Sequence, residues 1–170
     1  NIVVPMAGMG SRFSQAGYKD IKPLIPINGK PMISHVVDSV GVDGNWIFIV
    51  QKIHRELYNL DEILNNIRPG CTIVDTGDGV TQGAACSVLL AKEFINNNSP
   101  LIIINSDNII EWDTNEFNTF IESNNEGLIL CFKDTDPKWS FAKLDETGTY
   151  VTEVAEKKPI SDNATAGMYI

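Results

Sequence analysis

The chain has 170 residues, of which 43% are hydrophobic and 21% are charged, values typical of one globular domain with a buried core. With 13 basic and 22 acidic residues, its formal net charge is −9, the wrong sign for general binding to nucleic acid or an anionic membrane. We therefore expect no nucleic-acid partner and no membrane partner, and any bound phosphate must be held by a few local groups.

The cysteines indicate a reducing compartment. Cys71, Cys86 and Cys131 are odd in number, widely spaced and free of any CxxC pair. We expect reduced, mostly buried thiols, which favours a cytoplasmic protein. Both ends of the chain lie within apolar segments, so we interpret 1–170 as a single domain truncated at its C-terminus.

Apolar strands alternate with amphipathic helices over the first two-thirds of the chain. The predicted strands are 2–4, 46–50, 71–74 and 101–104. Four helices are predicted. The first begins at Pro31, and the second carries Leu57, Leu60, Leu64 and Ile67 on one face. The third runs from Gln82 to Ile95, and the fourth includes Phe117, Phe120 and Ile121. Four further strands follow, within GLILCF, FAKL, TYVTEVAE and TAGMYI, with a turn at 145–148.

This alternation predicts an α/β fold, a Rossmann-like mixed and mainly parallel sheet with helices on both faces. Ligands of such sheets lie beyond the carboxyl ends of the strands. The loop after the first strand and the residues after 101–104 both belong to that edge.

A glycine-rich loop, AGMGSRF at 7–13, follows the first strand. It is no dinucleotide fingerprint, because Phe13 stands where the third glycine is needed and the second strand runs into Gln51 in place of an acidic residue. A P-loop is excluded because GK[ST] is absent. Two interpretations stay open: a backbone that approaches a base and a triphosphate while Arg12 reaches a phosphate, or a turn with an exposed arginine.

The loop is one of five motifs that resemble the nucleotidyltransferases that make activated sugars, the nucleoside-diphosphate-sugar pyrophosphorylases. In chain order these are IVVPMAGMGSRF with IKPLIPINGKPMI, TQGAACSVL, LIIINSDNI, VTEVAEKKP and ATAGMYI. Ile21 and Ser106 depart from the family pattern, but neither replaces a charged or metal-binding group.

The resemblance implies a GT-A-like nucleotide-diphospho-sugar transferase fold, with a nucleotide-binding half at 1–110 and the start of an acceptor-binding half at 111–170. It also implies a Mg²⁺-dependent enzyme, in which a phosphate oxygen of an acceptor attacks the α-phosphorus of a nucleoside triphosphate and pyrophosphate leaves. Asp107 would bind the metal, and the family's second metal-binding aspartate lies beyond this chain.

Site residues are carried over from the family motif by motif. Arg12 and Lys22 would act with Asp107 in catalysis, Arg12 on the β- and γ-phosphates and Lys22 near the α-phosphate. Nucleotide-binding positions are Ala7, Gly8, Gly10, Ser11, Gln82 and Gly83. Acceptor-binding positions are Glu156, Lys157, Lys158 and Gly167.

The resemblance implies two partners, a nucleoside triphosphate with a pyrimidine base and a phosphorylated small molecule, chiefly a sugar 1-phosphate for surface polysaccharide. Which base and which acceptor are used stays open. A cytidylyltransferase acting on a non-sugar phosphorylated metabolite, a glycosyltransferase that uses a nucleotide sugar, and a non-catalytic nucleotide-binding module remain alternatives. The oligomeric state is open.

Overall fold

The computed structural model describes residues 1–123 and 126–170, apart from the side chain of Arg12. The chain divides into two compact units, 1–123 and 124–170. Within the described ranges, no helix combines the length and the apolar character that crossing a membrane requires.

The first unit alternates strands with helices. Its strands are β1 (Ile2–Pro5), β2 (Pro26–Ile27), β3 (Lys30–Pro31), β4 (Trp46–Val50), β5 (Thr72–Asp75) and β6 (Ile102–Ile104). Its helices are α1 (Ser11–Gln15), α2 (Met32–Val40), α3 (Lys52–Leu57), α4 (Leu60–Ile67), α5 (Ala84–Leu89), α6 (Lys92–Ile95) and α7 (Thr114–Glu122). A short 3-10 helix covers Lys22–Leu24.

A parallel sheet in the order β5-β4-β1-β6 forms the centre of this unit. Ile2 of β1 lies opposite Trp46 of β4 and Ile102 of β6. Every residue of β4 is buried, which explains its uninterrupted apolar run, because a strand covered on both faces has no solvent side. The four strands end at one edge, called here the carboxyl edge.

Helix α2 follows the predicted pattern. Its buried residues are Ile33, Val36, Val37 and Val40, the spacing of one helical face. The helix ends at Gly41, whose φ of 68° is a left-handed conformation that glycine adopts without a steric penalty.

The single helix predicted through Leu57 and Ile67 is wrong, since the segment forms α3 and α4. Asn59 separates them with a φ of 50°, a conformation that rotates the following helix out of line with the preceding one. Leu60 and Leu64 are consequently buried, whereas Leu57 is 72% exposed. The predicted end before Pro69 is confirmed, because α4 stops at Ile67.

The helix predicted from Gln82 to Ile95 is also interrupted. It begins at Ala84, after the extended Gly83, and breaks between α5 and α6. The backbone N–H of Leu90 donates to Ser87 and that of Ala91 donates to Val88. These bonds span three residues, the tighter 3-10 pattern. Val88, Ala91 and Ile95 of the predicted face nevertheless pack into one core cluster.

All three cysteines are free thiols, but the prediction that they are mostly buried is wrong. Cys86 and Cys131 are exposed and Cys71 is half-buried. Cys86 lies in α5 but outside that helix's buried residues, which are Ser87 and Val88.

The second unit is an antiparallel sheet of β7 (Ile129–Lys133), β8 (Ser140–Leu144), β9 (Val151–Glu156) and β10 (Asn163–Tyr169). β10 pairs with β7 and β8, and β8 pairs with β9. The predicted turn at 145–148 is confirmed, since Gly148 has a φ of 73° and its N–H donates to the carbonyl of Asp145 at 3.1 Å.

The break between α3 and α4 predicts different costs for the same substitution in two adjacent helices. Leu64→Ala should lower the free energy of unfolding by about 2–5 kcal/mol, because it opens a cavity in the core. Leu57→Ala is the matched control and should change it by less than about 0.5 kcal/mol, because its side chain is exposed. Urea unfolding measures both, and equal losses would contradict the break.

Candidate active site

A cleft of about 250 Å³ opens at the carboxyl edge of the first unit. Three separate segments of the chain line it: the end of β1 with the glycine-rich loop, the start of the 3-10 helix, and the residues after β6. Its lining residues are Pro5, Met6, Gly8, Gly10, Lys22, Pro23, Asn105, Ser106 and Asp107. The cleft therefore brings together four residues predicted for the site: Gly8, Gly10, Lys22 and Asp107.

The two glycines of the loop leave space in different ways. A Cβ added to Gly8 would meet no atom within 4 Å, so the backbone here faces open space that a ligand can occupy. Gly10 has a φ of 57°, which a residue with a side chain rarely adopts. The carbonyl of Gly10 accepts from the N–H groups of Phe13 at 2.9 Å and Ser14 at 3.3 Å, which begins α1.

Gln51 holds the glycine-rich loop from the neighbouring strand. It follows β4 directly, and its Nε2 donates to the carbonyl of Ala7 at 2.8 Å and more weakly to that of Gly8 at 3.3 Å. Ala7 itself is buried, with 4% exposure. The side chain of Gln51 thus fixes the point at which the chain leaves β1 for the cleft.

Lys22 and Asp107 form an ion pair inside the cleft, the lysine Nζ donating to Oδ2 of the carboxylate. Both side chains are about a third exposed, at 28% and 32%, so bulk water and a ligand can both reach them. Nζ of Lys22 also lies 5.1 Å from the centre of the Phe13 ring, a cation–π contact that orients the lysine. Pro23 follows Lys22 within the 3-10 helix and limits the direction of the chain.

Asp107 is suited to a metal ion that completes its coordination with ligand oxygens. Among the described residues, no three His, Cys, Asp or Glu side chains gather to hold a metal. Mg²⁺ in phosphate-transferring sites usually has one or two carboxylates, with the remaining ligands from phosphate and water. A lone, partly exposed carboxylate beside an open cleft fits that donor set.

Three other predicted nucleotide residues, Ser11, Gln82 and Gly83, are described by the structure and do not line this cleft. Arg12 lies in α1, but its side chain is outside the described part of the structure. Ser11 begins α1 and is exposed. Gln82 and Gly83 precede α5 and are exposed, on the loop that follows β5, two strands away from β1 in the sheet.

The predicted acceptor residues lie in the second unit, at the end of β9 and within β10. Nζ of Lys157 donates to Oε1 of Glu156 at 2.8 Å. This hydrogen bond, with the positive charge of Lys157, lowers the pKa of the Glu156 carboxyl. Lys157 has a left-handed φ of 53°, and its N–H donates to the carbonyl of Trp139 at 2.9 Å. Lys158 is exposed beside it.

Gly167 occupies an irregular point of β10. Its φ is 75°, and the register of β10 against β7 shifts between Thr165 and Tyr169. A glycine is needed here because a β-bulge of this kind requires a conformation that side chains disfavour. A mainly apolar cleft of about 290 Å³ lies in the same unit, between β7, β8, β9 and β10. Its polar side chains are those of Ser140, Glu156, Thr165 and Tyr169.

Sequence reasoning missed Gln51 as part of the site and used it only to exclude a dinucleotide fingerprint. A signal was available, because a polar amide directly after a fully apolar strand must emerge at the carboxyl edge. Which partners it bonds could not be known, since that depends on the pairing of β4 with β1.

The model of the nucleotidyl transferase family matches residues 2–170. Among curated proteins, a bifunctional protein GlmU of Methanocaldococcus jannaschii is 29% identical over 170 residues, which are 98% of this chain and 38% of that protein. A UTP–glucose-1-phosphate uridylyltransferase of Escherichia coli is 28% identical over 133 residues, 64% of this chain and 44% of that protein. The chain thus spans less than half the length of these two relatives.

A solved structure, the nucleoside-diphosphate-sugar pyrophosphorylase of Vibrio cholerae RC9, matches with a TM-score of 0.81 and 28% identity. The match covers 99% of this chain and 72% of that one. The predicted fold class, a mixed and mainly parallel sheet with helices, is confirmed by this likeness.

The contact between Glu156 and Lys157 predicts how the carboxyl titrates. Its folded pKa is lowered, so the pair stabilises the fold above the ordinary glutamate pKa of about 4.3 and loses that contribution as pH falls through the lower folded value. Lys157→Met should move the Glu156 midpoint, measured by carbon-13 NMR, upward toward the ordinary value.

Lys158→Met is the matched control for this titration and should leave the midpoint close to that of the unsubstituted protein. A midpoint that responds equally to both substitutions would mean that general charge, and not the hydrogen bond from Lys157, sets the pKa of Glu156.

Proposed function

Since this chain belongs to the nucleotidyl transferase family, we propose that the protein joins a nucleoside triphosphate to a sugar 1-phosphate and releases pyrophosphate. The observation that carries the proposal is the convergence of Lys22 and Asp107 beside Gly8 and Gly10 in one cleft. A cation, a metal-binding carboxylate and exposed backbone are the three kinds of group that a transferred phosphate needs. The names of the relatives support the same activity.

Each residue of the cleft has a proposed role in binding or aligning the triphosphate. The backbone at Gly8 lies close to the nucleotide, since no side chain stands in the way. Lys22 leaves Asp107 and binds the α-phosphate and the leaving oxygen, where negative charge grows as pyrophosphate departs. Arg12, which follows Ser11 in α1, holds the β- and γ-phosphates. Gln82 and Gly83 contact the base.

Asp107 holds Mg²⁺ in this proposal. The metal would neutralise charge on the phosphate oxygens that bind beside it. Before a ligand binds, the ion pair with Lys22 holds the Asp107 carboxylate at the wall of the cleft. The protein has a net charge of −9 and therefore repels a triphosphate. It needs the positive charges of both Mg²⁺ and Lys22 to bind one.

The acceptor is held by the second unit in this proposal. Glu156, Lys157 and Lys158 form its binding segment, in which a lysine contacts the acceptor phosphate, and Gly167 leaves room beside β10. We further propose a pyrimidine triphosphate as donor, surface polysaccharide as the destination of the product, and a cytoplasmic location. Cytidylyl transfer to a non-sugar phosphorylated metabolite is the alternative that the same cleft would support.

A pyrophosphate-release assay tests the proposal. The intact protein is offered ATP, GTP, CTP, UTP and dTTP with a set of sugar 1-phosphates and Mg²⁺. Asp107→Asn should lower kcat/KM by at least ~100-fold, the usual cost of losing one electrostatic contact to the reacting phosphate. Removing Mg²⁺ with a chelator should abolish release in the unsubstituted protein.

Asp38→Asn is the matched control, because the exposed side chain of Asp38 pairs with Lys30 at 3.8 Å, away from the residues that line the cleft, and should leave kcat/KM unchanged. Full Mg²⁺-dependent release by Asp107→Asn would contradict the role of Asp107. Absence of release from every triphosphate and acceptor would contradict the proposed function.

A further inference from the structure

Three side chains in or beside α3 contact other segments at the carboxyl edge. Gln51 is the N-cap residue of the helix, Arg55 lies within it, and Tyr58 is its C-cap residue. Gln51 bonds the carbonyls of Ala7 and Gly8. The hydroxyl of Tyr58 donates to the carbonyl of Lys19 at 3.1 Å, in the segment that leads to Lys22. Arg55 contacts Asp75, the residue that precedes the third segment, the loop 76–83.

Arg55 bridges two carboxylates from different elements. Its Nε and Nη2 form a fork on Asp61 of α4, at 2.9 Å to Oδ2 and 2.8 Å to Oδ1. Its Nη1 donates to Oδ2 of Asp75, the last residue of β5, at 3.1 Å. Hydrogen bonds from Arg55 lower the pKa of the Asp61 carboxyl. Only a planar guanidinium can satisfy both carboxylates in this way.

Asp75 links Arg55 to the loop 76–83. Its second oxygen, Oδ1, accepts from the N–H of Gly77 at 3.0 Å, so one carboxylate connects Arg55 with the start of the loop. A second tie runs from Nζ of Lys52 to Oδ1 of Asp78 at 3.5 Å. The loop leads into Gln82 and Gly83, to which the proposed function assigns contacts with the base.

Stability does not explain the bridge well. The side chain of Arg55 is 31% exposed, and those of Asp61 and Asp75 are 49% and 32% exposed. Ion pairs this accessible to water contribute little to folding. Their fixed geometry, however, can hold a loop in one position, and small displacements of a binding group have large effects on reaction rates.

We propose that Arg55 is a positioning residue that, through Asp75, holds the loop 76–83 where Gln82 and Gly83 meet the base of the nucleoside triphosphate, an inference that rests on the proposed function. Arg55 does not touch the reacting phosphates. Its loss therefore affects nucleotide binding and the choice among bases more than the chemical step.

Arg55→Lys tests the proposal, because lysine keeps the charge but cannot form the fork and the bridge together. KM for the preferred triphosphate should rise about tenfold, within the ~100-fold that a 1 Å displacement can cost. The KM for the acceptor should not change, and kcat should stay within a factor of about two. The ratio of kcat/KM between the preferred and the other triphosphates should fall.

Arg68→Lys is the matched control. Arg68 follows α4, as the C-cap residue of that helix, and its guanidinium stacks 5.0 Å from the Trp46 ring, so the change has structural consequences without touching the loop. It should leave KM for the triphosphate and the ratio between triphosphates unchanged. Tm is measured for every variant so that unfolding is not mistaken for weak binding.

Asp61→Asn tests whether Arg55 acts by being held in the bridge or merely by its own contact with Asp75 beside the loop. Asp61 touches Arg55 but not the loop, so its loss should raise KM for the triphosphate in the same direction. The double variant with Arg55→Lys should be no worse than Arg55→Lys alone, because both act through one bridge. Additive losses would overturn the proposal.

The proposal is overturned if Arg55→Lys keeps the KM for the triphosphate and the ratio between triphosphates, while the unsubstituted protein releases pyrophosphate. If the unsubstituted protein releases none, the proposed function fails, and titration calorimetry with each triphosphate decides the inference. Weaker binding by Arg55→Lys alone then supports it. Equal binding by all variants, or no binding by any, overturns it.

Discussion

Parallel pairing of β1 with β4 on one side and β6 on the other is the constraint on which the candidate site depends. Because the three strands run in the same direction, the residues that follow them emerge at one edge of the sheet. The glycine-rich loop, Gln51 and Asp107 are 40 to 100 residues apart in sequence, yet they meet there. The burial of β4 and most of β1 supplies the stability that holds this edge in place.

The electrostatics of the cleft follow from the acidity of the chain. A protein with a net charge of −9 repels a triphosphate at long range, so attraction must be local. In the structure Lys22 is neutralised by Asp107, an arrangement that keeps both groups ready at the wall of the cleft. A ligand that carries both a cation and phosphate oxygens can satisfy each group separately, whereas a free anion must compete with Asp107 for Lys22. The ion pair between Lys22 and Asp107 therefore favours a metal-bound triphosphate over a free one.

The sequence predicted the elements where apolar periodicity and turn chemistry agree, as in α2, β4 and the turn at Gly148. The prediction of one continuous helix was wrong where the conformation of a single residue ends the helix, as at Asn59, whose left-handed φ separates α3 from α4. Side-chain burial on short helices was equally hard, which is why Cys86 and Leu57 were misjudged. Periodicity cannot tell which face a helix of six residues presents, since one turn contains too few positions.

Part of the candidate site was likewise predictable from local sequence and part was not. The sequence motifs alone selected Gly8, Gly10, Lys22 and Asp107, which line one cleft in the structure. The supporting residues Gln51 and Arg55 belong to no motif, and their partners depend on the pairing of β4 and on the angle between α3 and α4. Such contacts are set by tertiary structure, so local sequence patterns do not reveal them.

Thermal unfolding of the intact protein tests most directly whether the cleft binds a metal-bound triphosphate. Tm is measured with ATP, GTP, CTP, UTP, dTTP and a set of nucleoside diphosphate sugars in turn, with and without Mg²⁺, because a ligand that prefers the folded state raises Tm. We expect that one pyrimidine triphosphate raises Tm clearly and that the rise needs both Mg²⁺ and Asp107. A rise with a nucleoside diphosphate sugar alone, and with none of the triphosphates, would contradict this expectation.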